Sequence, residues 1–347
     1  MFILNGLCNT FISKLLVKQE SYTNKEQTFK DFYIHPFFQS MFMFVAEFLC
    51  LIIAFILLLI KKIKYEKDKK VLQPYWYIIP SVFDAAASSF LHYGYVFALP
   101  SIIQMMTALN VITAAILSYI FLGKRFNLIH YIGLIIILVG VIIVVISSII
   151  TTTKKDKDST NALGIIMLVC ANILSPTQYI IEERLFKVYG ANPLEAVGYE
   201  GCVGMMIMFI LLIIFQNIHV ASVPNLFPFK TIENVGVAMI QIYYNRFILI
   251  IIIIYVLNLA MFNAEGLAIT KYLSALSRTT INVFRTAITW VVSLFIHWET
   301  FSWIELIGFV ISTIGVFTYN FEPSVKSKDK NVENETNNSI QNVELNK

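Results

Sequence analysis

The chain has 347 residues, of which 57% are hydrophobic and 14% charged, and its mean hydropathy is +0.71. Soluble globular domains are far more polar, so the composition specifies an integral membrane protein in contact with a lipid bilayer. The net charge of +4 comes from lysines gathered between apolar runs, which argues against nucleic acid as a partner. Cys8, Cys50, Cys170 and Cys202 lack the spacing of a disulfide frame or metal centre, and neither metal nor cofactor is expected.

A helix needs about 20 apolar residues to cross the hydrocarbon core. In chain order nine runs qualify: 37–60, 75–97, 101–122, 127–150, 161–181, 196–217, 247–269, 273–297 and 302–321. The run 1–17 is short and contains Lys14, but it lacks the basic start and cleavage site of a signal peptide and is counted as a first helix. Ten transmembrane helices are therefore expected. Fifteen Lys and Arg lie in the even-numbered loops and the carboxyl tail, including KKIKYEKDKK at 61–70, against eight in the odd loops. The positive-inside rule then puts both termini in the cytosol. The polar tail 323–347 reads as disordered, and its sequons at Asn334 and Asn337 would not be glycosylated on that side.

A shift of 175 residues aligns SYIFLGKRFNLIHYIGLIIILVGV from Ser118 with SLFIHWETFSWIELIGFVISTIGV from Ser293, with eight of 24 positions identical. Phe126 falls on Phe301, Gly133 on Gly308 and Gly140 on Gly315. Such a fixed-period match reads as a duplication. Residues 1–150 and 151–322 would each hold five helices, and an odd number turns the second copy upside down. Inverted halves around a midplane site are characteristic of secondary transporters. Phosphate-loop, HExxH, GxSxG and dinucleotide motifs are missing from the sequence, which speaks against an enzyme. Gly198, Gly201 and Gly204 form GxxGxxG at the start of a span, where close helix contact is expected.

The stretch TKYLSALSRTTINVFRTAITWVVSLF from Thr270 sets Lys271, Ser274, Arg278, Asn282, Arg285 and Thr289 three and four residues apart, along one face of a continuous helix. Each central cation costs roughly 2.5–3.5 kcal/mol in lipid, so this face should turn toward protein or a water-filled cavity. Glu47, Asp84, Glu200 and Glu265 are the acids available to it. For any one pair a purely structural role is as good a reading, and Lys271 and Glu265 lie near enough to a helix end to snorkel. Asp84, Ser88, His92 and Tyr95 share a face of the third span, and Gln104 and Asn110 stand on the fourth. Asn110 corresponds to Arg285 under the 175-residue shift. The expected substrate-binding residues are Arg285, Arg278, Gln104, Asn110, Asn282 and Lys271; Asp84, Glu47 and His92 are expected in ion pairing or proton coupling.

Together, HPFFQSMFMFVAEFLC from His35, PSVFDAAASSFLHYGY from Pro80, QMMTALNVITAAILSYIFLGKRF from Gln104, NPLEAVGYEGCVG from Asn192 and NAEGLAITKYLSALSRTTINVFRTAITW from Asn263 resemble the drug/metabolite transporter superfamily. The resemblance is to its nucleotide-sugar-transporter-like solute carrier 35 family, F branch, and spans residues 1–321. It implies an all-α, EamA-like fold of ten helices in two inverted repeats, with carrier-type movement of a small organic solute. Two departures stand out: Thr107 replaces an Arg of that branch, and the first helix starts late. The expected function is an alternating-access carrier of an anionic, nucleotide-sugar-like or other metabolite, in which Asp84 and Glu47 hold the arginines while the site is empty. A proton-coupled exporter of cationic or amino-acid-like solutes, operating through Asp84, Glu47 and Glu265, and a non-transporting scaffold are the alternatives. The resemblance favours an endomembrane such as Golgi, lysosome or vacuole. The sequence carries no sign of oligomeric state.

Overall fold

The computed structural model describes residues 1–60, 73–152, 162–189, 192–219, 231–297 and 301–321. The tail and the lysine run at 61–70 lie outside these residues. The helices are α1 (Phe2–Val17), α2 (Pro36–Leu59), α3 (Ile78–Phe97), α4 (Pro100–Met106), α5 (Leu109–Leu122), α6 (Leu128–Thr152), α7 (Ala162–Val188), α8 (Pro193–Asn217), α9 (Val235–Tyr244), α10 (Arg246–Tyr272), α11 (Ala275–Phe295) and α12 (Trp303–Asn320). Helix starts follow local chemistry. Proline occupies the first turn of α2 and α8, and the side chains of Asn192, Asn245, Ser274 and Ser302 accept backbone N–H groups at the starts of α8, α10, α11 and α12.

Six of these helices (α2, α6, α7, α8, α10 and α12) are long and apolar enough to cross a bilayer. Their outward faces carry exposed Ile, Leu, Val and Phe, such as Ile53 and Ile56 on α2 and Ile250 and Ile254 on α10. This is the surface that lipid covers. α3 and α11 are as long as some of them, but Asp84 and His92 in one and Arg278 and Arg285 in the other lower their hydropathy.

Three helix pairs dominate the interior: α6 with α12, α2 with α8, and α3 with α7. The first two cross at glycine. A side chain at Gly140 would meet Gly308 and Ser312, and one at Gly315 would meet Gly133 and Ile137, so α6 and α12 run antiparallel at contact distance. Gly198, Gly201 and Gly204 lie against Leu51, Glu47–Phe48 and Phe44, which makes α2 and α8 antiparallel as well. Close helix contact thus accounts for the GxxGxxG pattern.

Several expected boundaries differ. The span 101–122 is two helices: at Thr107–Ala108 the hydrogen bonds tighten to three-residue steps, Asn110 N to Thr107 O at 3.0 Å and Val111 N to Ala108 O at 3.1 Å. α7 continues past residue 181 to Val188, because the hydropathy run stops at Glu182 while the backbone goes on hydrogen-bonding. The stretch from Thr270 is not one helix. α10 ends at Tyr272, Leu273 leaves the helical region, and Ser274 caps α11, so Lys271 is off the face that carries Arg278 and Arg285. Among the described residues the fold also departs from all-α in a hairpin of β1 (Glu20–Tyr22) and β2 (Lys30–Phe32) and in an isolated antiparallel bridge between His219 and Thr231.

Each end of the bundle has a polar clamp. Beside the hairpin, His35 Nδ1 meets Glu233 Oε1 at 2.6 Å, and Glu233 Oε2 accepts from Phe37 N and Phe38 N at the start of α2. His35 Nε2 also meets Gln241 of α9 at 3.1 Å. Burial, with Glu233 adding to it, holds the nearby Tyr33 phenol well above its ordinary range. At the other end Lys124 Nζ reaches Glu183 Oε1 at 3.0 Å, and Glu183 Oε2 accepts from Ala275 N at the start of α11.

Candidate functional site

A cavity of about 110 Å³ lies among α1, α2, α3, α7, α10 and α11. Of the residues expected at the site, Glu47, Asp84, His92, Arg278 and Arg285 line it. Asn9, Thr10, Ser13, Tyr95, Gln178, Tyr179, Tyr255 and Asn263 complete its polar wall. A wider recess of about 540 Å³ between α3, α5 and α7 is lined mainly by Trp76, Phe83, Phe121 and aliphatic residues, with Arg184 on its rim. It opens among exposed Ile79 and Phe121, and its chemistry suits lipid better than a polar solute.

The first helix owes its place to the cation that made it marginal. Lys14 is buried, and its Nζ donates to Tyr95 O and Ala98 O, both at 2.8 Å, at the carboxyl end of α3. Those carbonyls have no partner within their own helix, and a cation there also meets the negative end of the helix dipole. α1 is thereby held against the cavity.

The two arginines sit differently. Arg278 Nη1 donates to Glu182 Oε2 at 3.1 Å, its guanidinium lies 3.7 Å from the Tyr179 ring centroid, and it crosses α10 at Gly266, where a side chain would strike it. The direct hydrogen-bond partner is therefore Glu182, while Asp84 and Glu47, expected from the sequence, interact with Arg278 only electrostatically. Glu47 instead accepts from Asn263 Nδ2 at 2.6 Å and meets the Asp84 carboxyl. Arg285 extends toward α1, where its guanidinium comes against Gly6 and lies 5.5 Å from the Phe262 ring centroid.

His92 is held on both nitrogens, by Ser40 Oγ at 2.8 Å and Tyr255 Oη at 2.9 Å. It bridges α2 and α10 through hydrogen bonds. Asn110 and Asn282 are buried where α5 meets α11, beside Val111 and Val283, and do not line the cavity. Lys271 lines a separate surface pocket with Glu183 and Lys187. Glu265 accepts from Asn5 Nδ2 at 3.2 Å. The Gln104 side chain lies outside the described residues.

Sequence reasoning missed Glu182 and Gln178. Glu182 lay one residue beyond the apolar run, where an acid reads as loop, and its helical spacing of three and four from Tyr179 and Gln178 was the available signal. Pro176, inside α7, removes a backbone donor just before these three residues.

The family model for solute carrier family 35, F group (SLC35F), matches residues 2–321. Solute carrier family 35 member F6 of Homo sapiens is 28% identical over 329 residues, 92% of this chain and 87% of that protein. The protein of the same description from Rattus norvegicus is 26% identical over 327 residues, with the same coverage. An uncharacterized Schizosaccharomyces pombe protein is 26% identical over 245 residues, 70% of this chain and 72% of its own. A solved crystal structure superposes with a TM-score of 0.53 at 13% identity, over 92% of this chain and 98% of that one, a likeness of fold alone. A match across nearly every apolar helix places this multi-pass membrane protein in solute carrier family 35, F group.

Proposed function

We propose that the protein is a secondary carrier that moves a small anion-bearing organic solute by alternating access between two inverted five-helix halves, 1–150 and 151–322. The observation that carries the solute class is Arg285, a guanidinium facing an internal cavity whose nearby wall is polar or aromatic. Arg offers a planar fork suited to carboxylate or phosphate. Arg285 and Arg278 both line the cavity, and Arg278 is hydrogen-bonded to Glu182. Typical small-molecule sites occupy about 300–1,000 Å³. At about 110 Å³ this cavity would have to widen to take a nucleotide-sugar-sized solute.

The inverted halves are supported by contacts that exchange under the 175-residue shift. Gly140 against Gly308 and Ser312 becomes Gly315 against Gly133 and Ile137. Related helices crossing antiparallel, as α6 and α12 do, are what a two-fold axis in the membrane plane requires. With α4 and α5 counted as one crossing this reading gives ten passes, and the lysine-rich loops support termini in the cytosol; the family resemblance favours an endomembrane.

Counterflow in proteoliposomes tests this reading: vesicles preloaded with nucleotide sugars, nucleotides, amino acids or organic cations, labelled tracer outside, beside Arg285→Ala. Saturable accumulation of an anionic tracer is expected for the wild type and for Lys271→Ala, and its loss in folded Arg285→Ala. Accumulation of cations only would move the site to the carboxylates. No exchange with any solute by folded protein would favour a membrane scaffold.

A further inference from the structure

Four carboxyl groups close around one guanidinium at the cavity. Glu47 of α2, Glu182 of α7 and Glu200 of α8 are 3%, 1% and 1% exposed, and Arg278 of α11 is 3% exposed. The Glu47 and Asp84 carboxyls are hydrogen-bond neighbours, and so are those of Glu182 and Glu200. Fully ionised, these four groups would exceed Arg278 by three negative charges in the membrane interior, with Arg285 on the cavity wall as a further cation, and even one unpaired charge there costs several kcal/mol.

The donors present do not satisfy it. Arg278 serves Glu182, Asn263 serves Glu47, and Gln178 serves Asp84 and Glu182. Glu47 Oε2, Glu182 Oε1 and Glu200 Oε1 remain buried without a hydrogen-bond donor, and Arg278 Nε remains buried without an acceptor. Two carboxylates cannot hydrogen-bond each other, but a carboxylic acid and a carboxylate can. One proton held within each pair would satisfy it. Only Glu47 and Asp84 of the four line the cavity; Glu182 and Glu200 stand behind them.

We propose that Glu47 and Asp84 form a proton-binding site that loads and unloads through the central cavity, with Arg278 as a counter-charge shared between this pair and Glu182. Loaded, one carboxyl keeps its proton and donates to the other. On unloading, the O–H bond breaks, its electron pair stays on the carboxylate oxygen, and the proton passes to a cavity water. About 110 Å³ holds some three or four waters at roughly 30 Å³ each. Arg278 Nε, without an acceptor in the loaded state, is the donor that answers the new charge.

The titratable neighbours are compatible with this division. His92 and Tyr255 line the same cavity but are tied to each other at 2.9 Å. Tyr179 lies against Arg278, Cys50 is one turn along α2 from Glu47, and Tyr77 faces Glu200. The use of the site rests on the carrier reading: a group that is neutral when loaded and charged when empty couples solute movement to a pH difference.

The site itself is tested without any solute. Infrared spectra of the full chain in vesicles are recorded across pH, following the protonated-carboxyl stretch, for wild type, Asp84→Asn, Glu47→Gln and Glu26→Gln, an exposed acid outside the cavity. A band that fades as pH rises is expected in wild type and in Glu26→Gln, and its loss is expected in Asp84→Asn and Glu47→Gln, with helical content checked by circular dichroism. Loss in both folded cavity variants supports the assignment. The proposal is overturned if wild type has no band that fades with pH, whatever the variants do. It is also overturned if the band survives in folded Asp84→Asn or Glu47→Gln, or if it responds to sodium at fixed pH and not to pH, which would mark a cation site. A negative result here leaves counterflow untouched, and failed counterflow leaves this titration to be read by itself.

Discussion

Arg278 engages three surfaces at once: Glu182 through a hydrogen bond, Tyr179 through its ring face, and α10 at Gly266. Removing it strands a carboxylate that is 1% exposed, and breaking such a pair costs about 3–5 kcal/mol, whereas neutralising both partners costs far less. Arg278→Met should therefore lower the thermal unfolding midpoint in detergent sharply, and adding Glu182→Gln should restore most of the loss. Simple addition of the two single effects would mean that the pair is not coupled as the geometry requires. Both arginines were legible in the sequence, because a cation in an apolar span has few ways to exist. Their partners were not, since which acid meets which guanidinium depends on how α7, α10 and α11 lean together, and Glu182 lay past the apolar run. Lys271 was misread for the opposite reason, a spacing that fitted a helix which in fact stops at Tyr272.

The helices themselves were legible wherever an apolar run is uninterrupted, since a backbone in lipid has no partner for its N–H and C=O groups but its own. The hairpin, α9 and the break at Thr107 were not, because each is decided by tertiary contacts, as where Gln241 donates to Asp31 O and Phe32 O. The α6–α12 crossing lies between these cases: paired glycines were visible, their mutual contact was not. That contact gives a matched prediction. A methyl at Gly140 would collide with Ser312, and one at Gly315 would sit 2.6 Å from Ile137 N. Overpacking of this kind typically costs 1–3 kcal/mol, so Gly140→Ala and Gly315→Ala should lower the unfolding midpoint by similar amounts. Gly123, at φ 62° with open space around it, is the control: its alanine variant pays only backbone strain, about 1 kcal/mol. If Gly140→Ala were tolerated while Gly315→Ala was not, the proposed equivalence of the two halves would fail at the place where it is most visible.

At the scale of the whole molecule, the two polar clamps lie at opposite ends of the proposed ten-crossing topology, and each joins one half to the other. His35 and the start of α2 grip Glu233 on the hairpin side; Lys124 grips Glu183 at the far side. An alternating-access carrier must release one clamp to open one face while the other stays shut, so weakening either should bias the resting population toward that face. Glu233→Gln sets an amide against donors that include Phe37 N and Phe38 N, and Glu183→Gln removes the charge that holds Lys124 and faces Ala275 N. Hydrogen bonds to charged groups are worth about 1.5–3 kcal/mol, enough for a tenfold or greater population shift. The measurement is labelling of Ser88→Cys, a cavity position, in a background without Cys8, Cys50, Cys170 and Cys202, by an impermeant maleimide applied to either side of sealed vesicles. Glu233→Gln should speed labelling from the hairpin side and slow it from the other, and Glu183→Gln should do the reverse. Two variants that shift labelling to the same side would show that the clamps are not opposing gates. Two that change nothing would reduce them to structural ties, and the path to the Glu47–Asp84 pair would have to open elsewhere in the bundle.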